Sequence, residues 1–229
     1  MEYTNVTEGI FLGRNGRFVA DVKVNDIVET THIKNTGQCG KLLYEGAKVF
    51  LEESSKAQRK TKYDLFAVSD ESADIINIDQ FAQTQIVRDF IENDNDIFPA
   101  VQYLQDECEY EDAKFDYYFD DGNSKVVMNV CSCIDQCCCM GLFPETVNAK
   151  EVKRVKEITE AYRQGYEAYI GFVIHISSVD FVIPNRNLQP EYADALHDAV
   201  KKGVKLLFFR CDVTKNYIKL RGTHIIDRL

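Results

Sequence analysis

Residues 115–131 read Phe-Asp-Tyr-Tyr-Phe-Asp-Asp-Gly-Asn-Ser-Lys-Val-Val-Met-Asn-Val-Cys, and this stretch decides the fold of the C-terminal half. Two β-prone segments, 115–119 and 126–131, flank the turn-forming Asp-Asp-Gly-Asn, which predicts an antiparallel hairpin. The first strand carries Asp116. On the second strand, Asn129 and Cys131 face the same side because side chains two apart in a strand share a face. The hairpin therefore brings an acid, an amide and a thiol to one sheet.

The segments around the hairpin alternate between helical and extended patterns. We predict a helix over residues 80–94, a second from an Asn148 N-cap to Arg163, and a third from Pro190 to Lys202 that Gly203 ends. The continuous apolar run 168–174 is typical of a strand covered on both faces, and residues 204–210 form another strand. The order β-β-α-β-α-β predicts an α/β domain with a mixed sheet.

The N-terminal part has a different pattern. Residues 17–24, 26–33, 48–53 and 63–68 read as short strands, with one helical turn near Gly40. Several short strands within about 70 residues predict a small closed barrel of the OB type. The pattern changes near residue 80, so we predict an OB-like domain over residues 1–80 and an α/β domain over residues 81–229.

Charge is distributed unevenly along the 229 residues, whose net charge is −10. Residues 81–149 carry 3 basic and 14 acidic side chains, whereas residues 150–229 carry 14 basic and 10 acidic ones. The acidic middle repels a phosphate backbone but attracts divalent cations. The sequence shows no segment able to span a bilayer and no secretory signal, so we expect a cytoplasmic protein with reduced thiols.

Two short motifs stand in the N-terminal part. Asn35-Thr36-Gly37 predicts a tight turn that exposes backbone N–H groups, and residues 59–62 form the basic run Arg-Lys-Thr-Lys. Each admits two interpretations: a structural turn and a solvated charge run, or a ligand site.

The spacing of these motifs resembles the sugar fermentation stimulation protein A (SfsA) family, described as DNA/RNA nucleases. That family carries His-x-x-Asn-Thr-Gly-Arg, matched here from His32 to Gly37 with Gln38 in place of the arginine. It also carries an Arg-Lys-Thr/Leu-x-Tyr segment, matched at residues 59–63. The likeness extends over about residues 9–220. It implies an OB-like N-terminal domain, a C-terminal domain of the PD-(D/E)xK nuclease type, and binding of DNA or RNA.

The resemblance also implies a catalytic centre, and this chain departs from it there. The family's Glu-Val-Lys is replaced by Asn129-Val130-Cys131, and its Arg-Gly before the lysine by Lys150-Glu151. In such a site carboxylates bind Mg²⁺ or Mn²⁺, and the lysine orients or deprotonates the attacking water. An amide is a weaker ligand for these ions, and a thiol does not replace the lysine ammonium group. We expect a degenerate nuclease site. The equivalent positions are Asp116, Asn129, Cys131 and Lys153, and Asp116 is the surviving candidate ligand for Mg²⁺.

Two other functions stay open. In the first, the protein is an active nuclease with a rewired site, in which Asp120, Asp121, Asp135 or Glu145 restores a metal ligand. In the second, a cysteine cluster binds Zn²⁺ or has a redox role, although its spacing lacks the usual Cys-x₂-Cys pairs and buried free thiols fit it too. The cluster comprises Cys131, Cys133, Cys137, Cys138 and Cys139.

The candidate nucleic-acid-binding residues are mostly cationic or aromatic. Phe18 or Tyr63 is placed to stack on bases, as aromatic residues do on barrels that bind single strands. Basic side chains on the helix after Asn148 are candidate phosphate contacts as well. We expect a nucleic-acid-binding protein, for which a homodimer is compatible with the sequence. The predicted nucleic-acid-binding residues, of which the basic ones are the phosphate contacts, are Arg14, Arg17, Lys34, Asn35, Thr36, Arg59, Lys60 and Lys62.

Overall fold

A computed structural model describes residues 1–54, 60–93, 95–110 and 113–227. The chain divides into two compact units. The first comprises Met1–Gln85 with the returning segments His175–Ser178 and Cys211–Leu220, and the second comprises the remainder. Our division at residue 80 depends on a change of sequence pattern alone and stays a prediction. Within the described ranges, no helix is both long and apolar enough to cross a membrane.

The first unit contains a closed barrel. Its sheet has the order β3-β2-β1-β4-β5-β6, and a parallel pairing of β3 with β5 joins the two ends of the five-stranded part. The β3–β5 pairing provides hydrogen-bond partners for backbone groups at the two edges of the five-stranded sheet. It confirms the predicted OB-like barrel. The strands are β1 (Val6–Arg14), β2 (Val19–Val24), β3 (Ile27–Ile33), β4 (Lys48–Glu53), β5 (Tyr63–Ser69) and β6 (Ile75–Asn77).

Strand β1 was not singled out by the sequence pattern. It contains Gly9 and Gly13, which weaken a β-strand pattern. Gly9 is required by packing, since a Cβ atom there would lie 2.5 Å from Cγ1 of Val22 on the neighbouring strand. The β2–β3 hairpin, in contrast, follows the prediction, because Asn25 and Asp26 both take positive φ in its two-residue turn.

A mixed sheet organises the second unit. Its strand order is β15-β14-β12-β9-β8-β7, with β12 parallel to both neighbours and the β8–β9 hairpin antiparallel, which confirms the predicted α/β fold. Helix α2 packs on β8, β9 and β12. The elements are α1 (Gln80–Glu92), β7 (Tyr103–Tyr110), β8 (Ala113–Asp120), β9 (Lys125–Cys133), β10 (Asp135–Cys137), β11 (Met140–Phe143), α2 (Ala149–Arg163), β12 (Glu167–Ile174), β13 (Val182–Pro184), α3 (Pro190–Lys202), β14 (Lys205–Val213) and β15 (Ile218–Ile226).

The predicted boundaries of α2 and α3 are confirmed by their caps, whereas α1 ends at Glu92 and not at residue 94. The side chain of Asn148 accepts the Lys150 N–H at the start of α2, and Gly203 ends α3 with φ 117°. In the second unit, the strands that the sequence did not reveal are edge or short strands. Edge strand β7 is polar and exposed along most of its length, and β10, β11 and β13 form a separate three-stranded sheet. Such segments lack the apolar alternation that marks a half-buried strand.

Candidate active site

Asp116 lies where the β8–β9 ladder ends. The paired register runs from Asp120 opposite Lys125 to Tyr117 opposite Met128. Beyond it, the Oδ2 atom of Asp116 accepts the backbone N–H of Val130 at 2.6 Å. The same oxygen accepts a hydrogen bond from the guanidinium of Arg154 on α2. The carboxylate is therefore held from both the sheet and the helix.

Helix α2 adds a second acid to this group. Glu151 lies one turn before Arg154, with its Oε2 atom 3.6 Å from Nη1 of Arg154 and 4.0 Å from Sγ of Cys131. Burial raises the pKa of Glu151, and the neighbouring Asp116 raises it further, whereas Arg154 lowers it. Burial by itself lowers the pKa of Arg154, but its acidic neighbours outweigh burial and raise it above its ordinary value. The guanidinium is thus a permanent cation between two carboxylates.

The two residues at the predicted acid and lysine positions are buried and uncharged. Asn129 is 2% exposed and its Nδ2 donates to the Arg154 carbonyl at 3.4 Å, while its Oδ1 has no hydrogen-bond partner among the described residues. Burial raises the pKa of the Cys131 thiol well above its ordinary value, and Glu151 adds to this shift. Cys131 is therefore a neutral thiol near pH 7 and does not replace the ammonium group of a lysine.

A buried tyrosine, Tyr192 of α3, also belongs to these surroundings. Burial raises the pKa of its hydroxyl, and the acidic groups of Cys131 and Glu151 raise it further. Its hydroxyl lacks a hydrogen-bond partner within the described part of the chain. Two polar atoms, this hydroxyl and Oδ1 of Asn129, are thus buried here without partners, which is unusual in a folded interior.

The structure brings Asp116, Asn129 and Cys131 together but places Lys153 elsewhere. The Lys153 side chain is 69% exposed and its Nζ lies 3.1 Å from Oε1 of Glu157. The helical period explains the difference, because Glu151 and Arg154 share the sheet-facing side of α2 with Val155 and Ile158, and Lys153 does not. That spacing on an apolar face was the sequence signal for Glu151 and Arg154.

Two of the acids that were alternative metal ligands, Asp120 and Asp121, make contacts within the hairpin turn. Oδ1 of Asp120 accepts the Gly122 N–H, and Oδ1 of Asp121 accepts the N–H groups of Asn123 and Ser124, so both carboxylates hold the hairpin turn. Across the described residues, no three His, Cys, Asp or Glu side chains form a group able to hold a metal ion.

A hard divalent cation does not fit the site in this arrangement. Such an ion needs several anionic oxygens, and here the Asp116 carboxylate is already neutralised by Arg154. The Glu151 carboxylate faces the same guanidinium. The other neighbours are a neutral amide and a protonated thiol, and the thiol is a soft donor. A cation beside Asp116 would also be repelled by the guanidinium.

The cysteine cluster is divided into two groups. Cys131 and Cys133 are buried on β9, where the Cys133 thiol donates to the Asp135 carbonyl at 3.5 Å. Cys137, Cys138 and Cys139 are exposed at the tip of the β10–β11 hairpin. The five thiols therefore do not converge on one zinc ion.

In the first unit, the Asn-Thr-Gly motif forms internal contacts. Asn35 is buried, its Nδ2 donates to the Ile78 carbonyl at 2.8 Å, and its Oδ1 accepts the Gly37 N–H at 2.6 Å. The hydroxyl of Thr36 donates to Gln80 at 3.0 Å. These contacts tie the turn to residues 78–80, so the motif is an Asx-turn with a structural role.

Lys34 is also used internally. Its Nζ lies 3.2 Å from Asp79 and 3.3 Å from Glu52, and 5.3 Å from the ring centroid of Tyr3. Burial alone lowers the pKa of Lys34, but these two carboxylates outweigh it and raise the pKa. The Asp79 side chain is fully buried, so Lys34 provides its counter-charge.

The other predicted phosphate contacts differ in accessibility. The Arg14 guanidinium donates to the carbonyls of Arg17, Gly37 and Gln38, which fixes it to the loop. Arg17 donates from Nε to the Thr36 carbonyl, and its guanidinium carbon lies 5.2 Å from the ring centroid of Phe18. Arg59 lies outside the described residues.

An accessible patch remains in the first unit. Phe18 is 41% exposed and its ring stacks on His32 at 6.5 Å, while Nδ1 of His32 lies 3.0 Å from Asp64. Lys60 is exposed. Lys62, half-exposed, lies 4.9 Å from the Tyr63 ring centroid and 3.6 Å from Glu53. We call Arg17, Phe18, Lys60 and Lys62 the barrel surface patch.

The class of protein is defined by an OB-like barrel that is followed by an α/β domain with a mixed sheet, whose central hairpin presents Asp116. Family models agree. Residues 12–78 match the SfsA N-terminal OB domain, and residues 81–217 match the sugar fermentation stimulation protein RE domain.

Full-length relatives support the same assignment. The chain is 34% identical over 220 residues to a sugar fermentation stimulation protein homolog of Ruminiclostridium cellulolyticum, with 96% of each chain covered. It is 35% identical over 219 residues to one of Desulfitobacterium hafniense, covering 96% of this chain and 95% of that one. The solved structure of Pyrococcus furiosus SfsA in complex with Ca²⁺ shares the fold, with a TM-score of 0.82 at 24% identity over 97% of this chain and 96% of that one. The chain belongs to the sugar fermentation stimulation protein (SfsA) family.

Proposed function

We propose that this protein binds nucleic acid without cleaving it in a metal-dependent way, because Arg154 replaces the metal charge beside Asp116. The observation that carries the proposal is the placement of one guanidinium between the carboxylates of Asp116 and Glu151. The expected partners are DNA or RNA.

The proposed loss of cleavage follows from the chemistry that phosphodiester hydrolysis requires. A bound divalent ion lowers the pKa of water and stabilises the charge on the phosphoryl group, and a lysine positions the water. Asn129 and Cys131 supply neither an anionic ligand nor a cation near pH 7. Losing such electrostatic groups reduces the rate by roughly 10³-fold or more.

Binding is supported by accessible cations and an aromatic ring. In the first unit, Arg17 beside the exposed ring of Phe18 combines a phosphate contact with a stacking platform. In the second unit, α2 carries exposed Lys150, Lys153 and Lys156, which are spaced by three residues. The net charge of −10 opposes binding at long range, so we expect weak affinity that falls steeply with salt.

One observation favours the rival function, an active nuclease with a rewired site. Glu151 brings a carboxylate to within 4.0 Å of the Cys131 sulfur, on the side of the sheet where the family pattern has its second acid at position 129. If Arg154 moved aside, Asp116 and Glu151 would leave two carboxylates together. The two functions differ in whether Mg²⁺ or Mn²⁺ produces cleavage.

A combined binding and cleavage experiment tests the proposal. Labelled single- and double-stranded DNA and RNA are incubated with the protein and Mg²⁺, Mn²⁺ or Ca²⁺, with a metal-dependent nuclease as positive control, and anisotropy measures binding across a salt series. The expected result is salt-sensitive binding with intact substrates. Cleavage that disappears in Asp116→Ala establishes the rewired nuclease instead, and failure to bind any of the four substrates at low salt overturns the proposal.

A further inference from the structure

The tip of the β10–β11 hairpin carries a concentration of sulfur found nowhere else among the described residues. Cys137 pairs with Met140 across the hairpin, and Cys138 and Cys139 form its two-residue turn with φ 52° and 65°. All three cysteines are exposed, whereas Cys39, Cys131, Cys133 and Cys211 are buried. Four consecutive residues, 137–140, thus carry sulfur at one solvent-facing turn.

The turn itself is chemically unusual. Two-residue hairpin turns with positive φ at both central positions favour Asn and Gly, because most side chains are strained there. Here both positions are cysteine, so local conformational preference does not account for the sequence. Burial in a core, the usual reason for free cysteine, does not apply to exposed thiols either.

The separation of two thiols matches the edge of a metal coordination tetrahedron. The Sγ atoms of Cys137 and Cys138 lie 3.7 Å apart. Zinc–thiolate bonds of about 2.3 Å in tetrahedral geometry place neighbouring sulfurs about 3.8 Å apart. The two sulfurs are therefore spaced as two ligands of one tetrahedral ion would be.

We propose that Cys137 and Cys138 form a site for a thiophilic metal ion, Zn²⁺ or Cu⁺. Thiolate and thioether ligands favour these ions over Mg²⁺, Ca²⁺ and Mn²⁺. Because no three His, Cys, Asp or Glu ligands are preset within the described part of the chain, the other coordination positions are filled by the adjacent Cys139, by water or by a second copy of the hairpin. Each bound thiol loses its proton to solvent, so binding strengthens as the pH rises. The site is separate from Asp116 and independent of the nucleic-acid proposal.

Metal content and affinity test this site directly. Reduced, metal-free protein is incubated with Zn²⁺ or, anaerobically, with Cu⁺, desalted and analysed for metal per chain. We expect one ion per chain, or one per pair of chains, in the wild type and none in Cys137→Ser/Cys138→Ser. Cys108→Ser is the matched control, since it removes a half-buried thiol on β7, and it should retain the ion. A wild type that stays metal-free, or a double variant that binds as well as the wild type, overturns the proposal.

A second measurement uses only the native sequence and does not depend on the folding of a variant. Iodoacetamide treatment of the folded protein, followed by peptide mass analysis, reports which thiols are accessible. We expect labelling at residues 137–139 first, and strong protection of Cys137 and Cys138 when Zn²⁺ or Cu⁺ is present. Equal labelling with and without both ions contradicts the site, and the relative protection by each ion identifies which one binds.

Discussion

Arg154 and Asp116 form an ion pair that joins helix α2 to the end of the β8–β9 hairpin. The guanidinium and the Val130 N–H share one oxygen of the carboxylate, and the two side chains are 25% and 39% exposed. The pair is thus partly screened by solvent, while Glu151 on the inner side is more buried. A positive charge that belongs to the chain therefore stands beside Asp116, the acid that the sequence predicts as the candidate metal ligand.

The first prediction concerns Arg154→Met. Removing the guanidinium leaves Asp116 and Glu151 as two unneutralised carboxylates, so we expect a loss of about 1–2 kcal/mol in the free energy of unfolding at low salt. The same change should create affinity for Mn²⁺ or Mg²⁺, seen as a rise in Tm with added metal that the wild type does not show.

Lys153→Met is the matched control for that experiment. It removes a cation from the same helix, but an exposed one that contacts Glu157 instead of Asp116. It should change neither the unfolding free energy by more than a few tenths of a kcal/mol nor the response to metal. Metal binding by the wild type at the level of Arg154→Met would show that Arg154 does not block the site.

The second prediction concerns pH and Glu151. Burial raises the pKa of Glu151 in the folded state above its unfolded value of roughly 4.3, so the folded protein binds the proton more tightly than the unfolded one. Ionisation of Glu151 therefore lowers the unfolding free energy as the pH rises from about 4 through the raised pKa.

The variant Glu151→Gln lacks this ionisation and should lose that part of the pH dependence. Urea unfolding at a series of pH values measures the difference between the two proteins. We expect the glutamine variant to gain stability relative to the wild type as the pH increases over this interval. A difference that is constant with pH, or that changes in the opposite direction, would contradict the raised pKa.

The third prediction concerns the contribution of Lys34 to the stability of the first unit. Lys34→Met leaves the fully buried Asp79 without its counter-charge, so we expect a loss of about 3 kcal/mol in the free energy of unfolding. Lys60→Met, at an exposed position, should leave stability nearly unchanged. Chemical denaturation measures both variants. A Lys34 variant as stable as the wild type would mean that its contacts to Asp79 and Glu52 contribute little.

The fourth prediction concerns nucleic-acid binding by the barrel surface patch. Phe18→Ala should weaken binding of a single-stranded oligonucleotide by about 1–3 kcal/mol through loss of stacking, with the salt dependence unchanged. A plot of log affinity against log salt concentration has a negative slope, and Lys62→Ala should reduce the magnitude of that slope by about 1. Anisotropy titrations at several salt concentrations distinguish the two effects. Tyr44→Ala, which removes another partly exposed ring, is the control and should bind as the wild type does.

Local sequence signals determined most of the fold. The closed barrel, the central hairpin, helices α2 and α3 and the buried strand β12 follow from β-branched runs, turn residues and caps such as Asn148 and Gly203. These signals act between neighbouring residues and so are visible in one sequence. Strand β1 was not predicted because it contains Gly9, which local signals disfavour in a strand. The reason for this glycine is its close approach to Val22 on another strand.

The sequence by itself also determined that Asp116, Asn129 and Cys131 lie together, because the period of a strand fixes which side chains share a face. Only the tertiary structure decided which helix residues meet them, and it brought in Glu151 and Arg154 and left Lys153 in solvent. It also showed that Lys34 and Asn35 make internal contacts, to Asp79 and to the Ile78 carbonyl. The physical reason is that charge and burial depend on packing between elements distant in sequence, which no local pattern encodes.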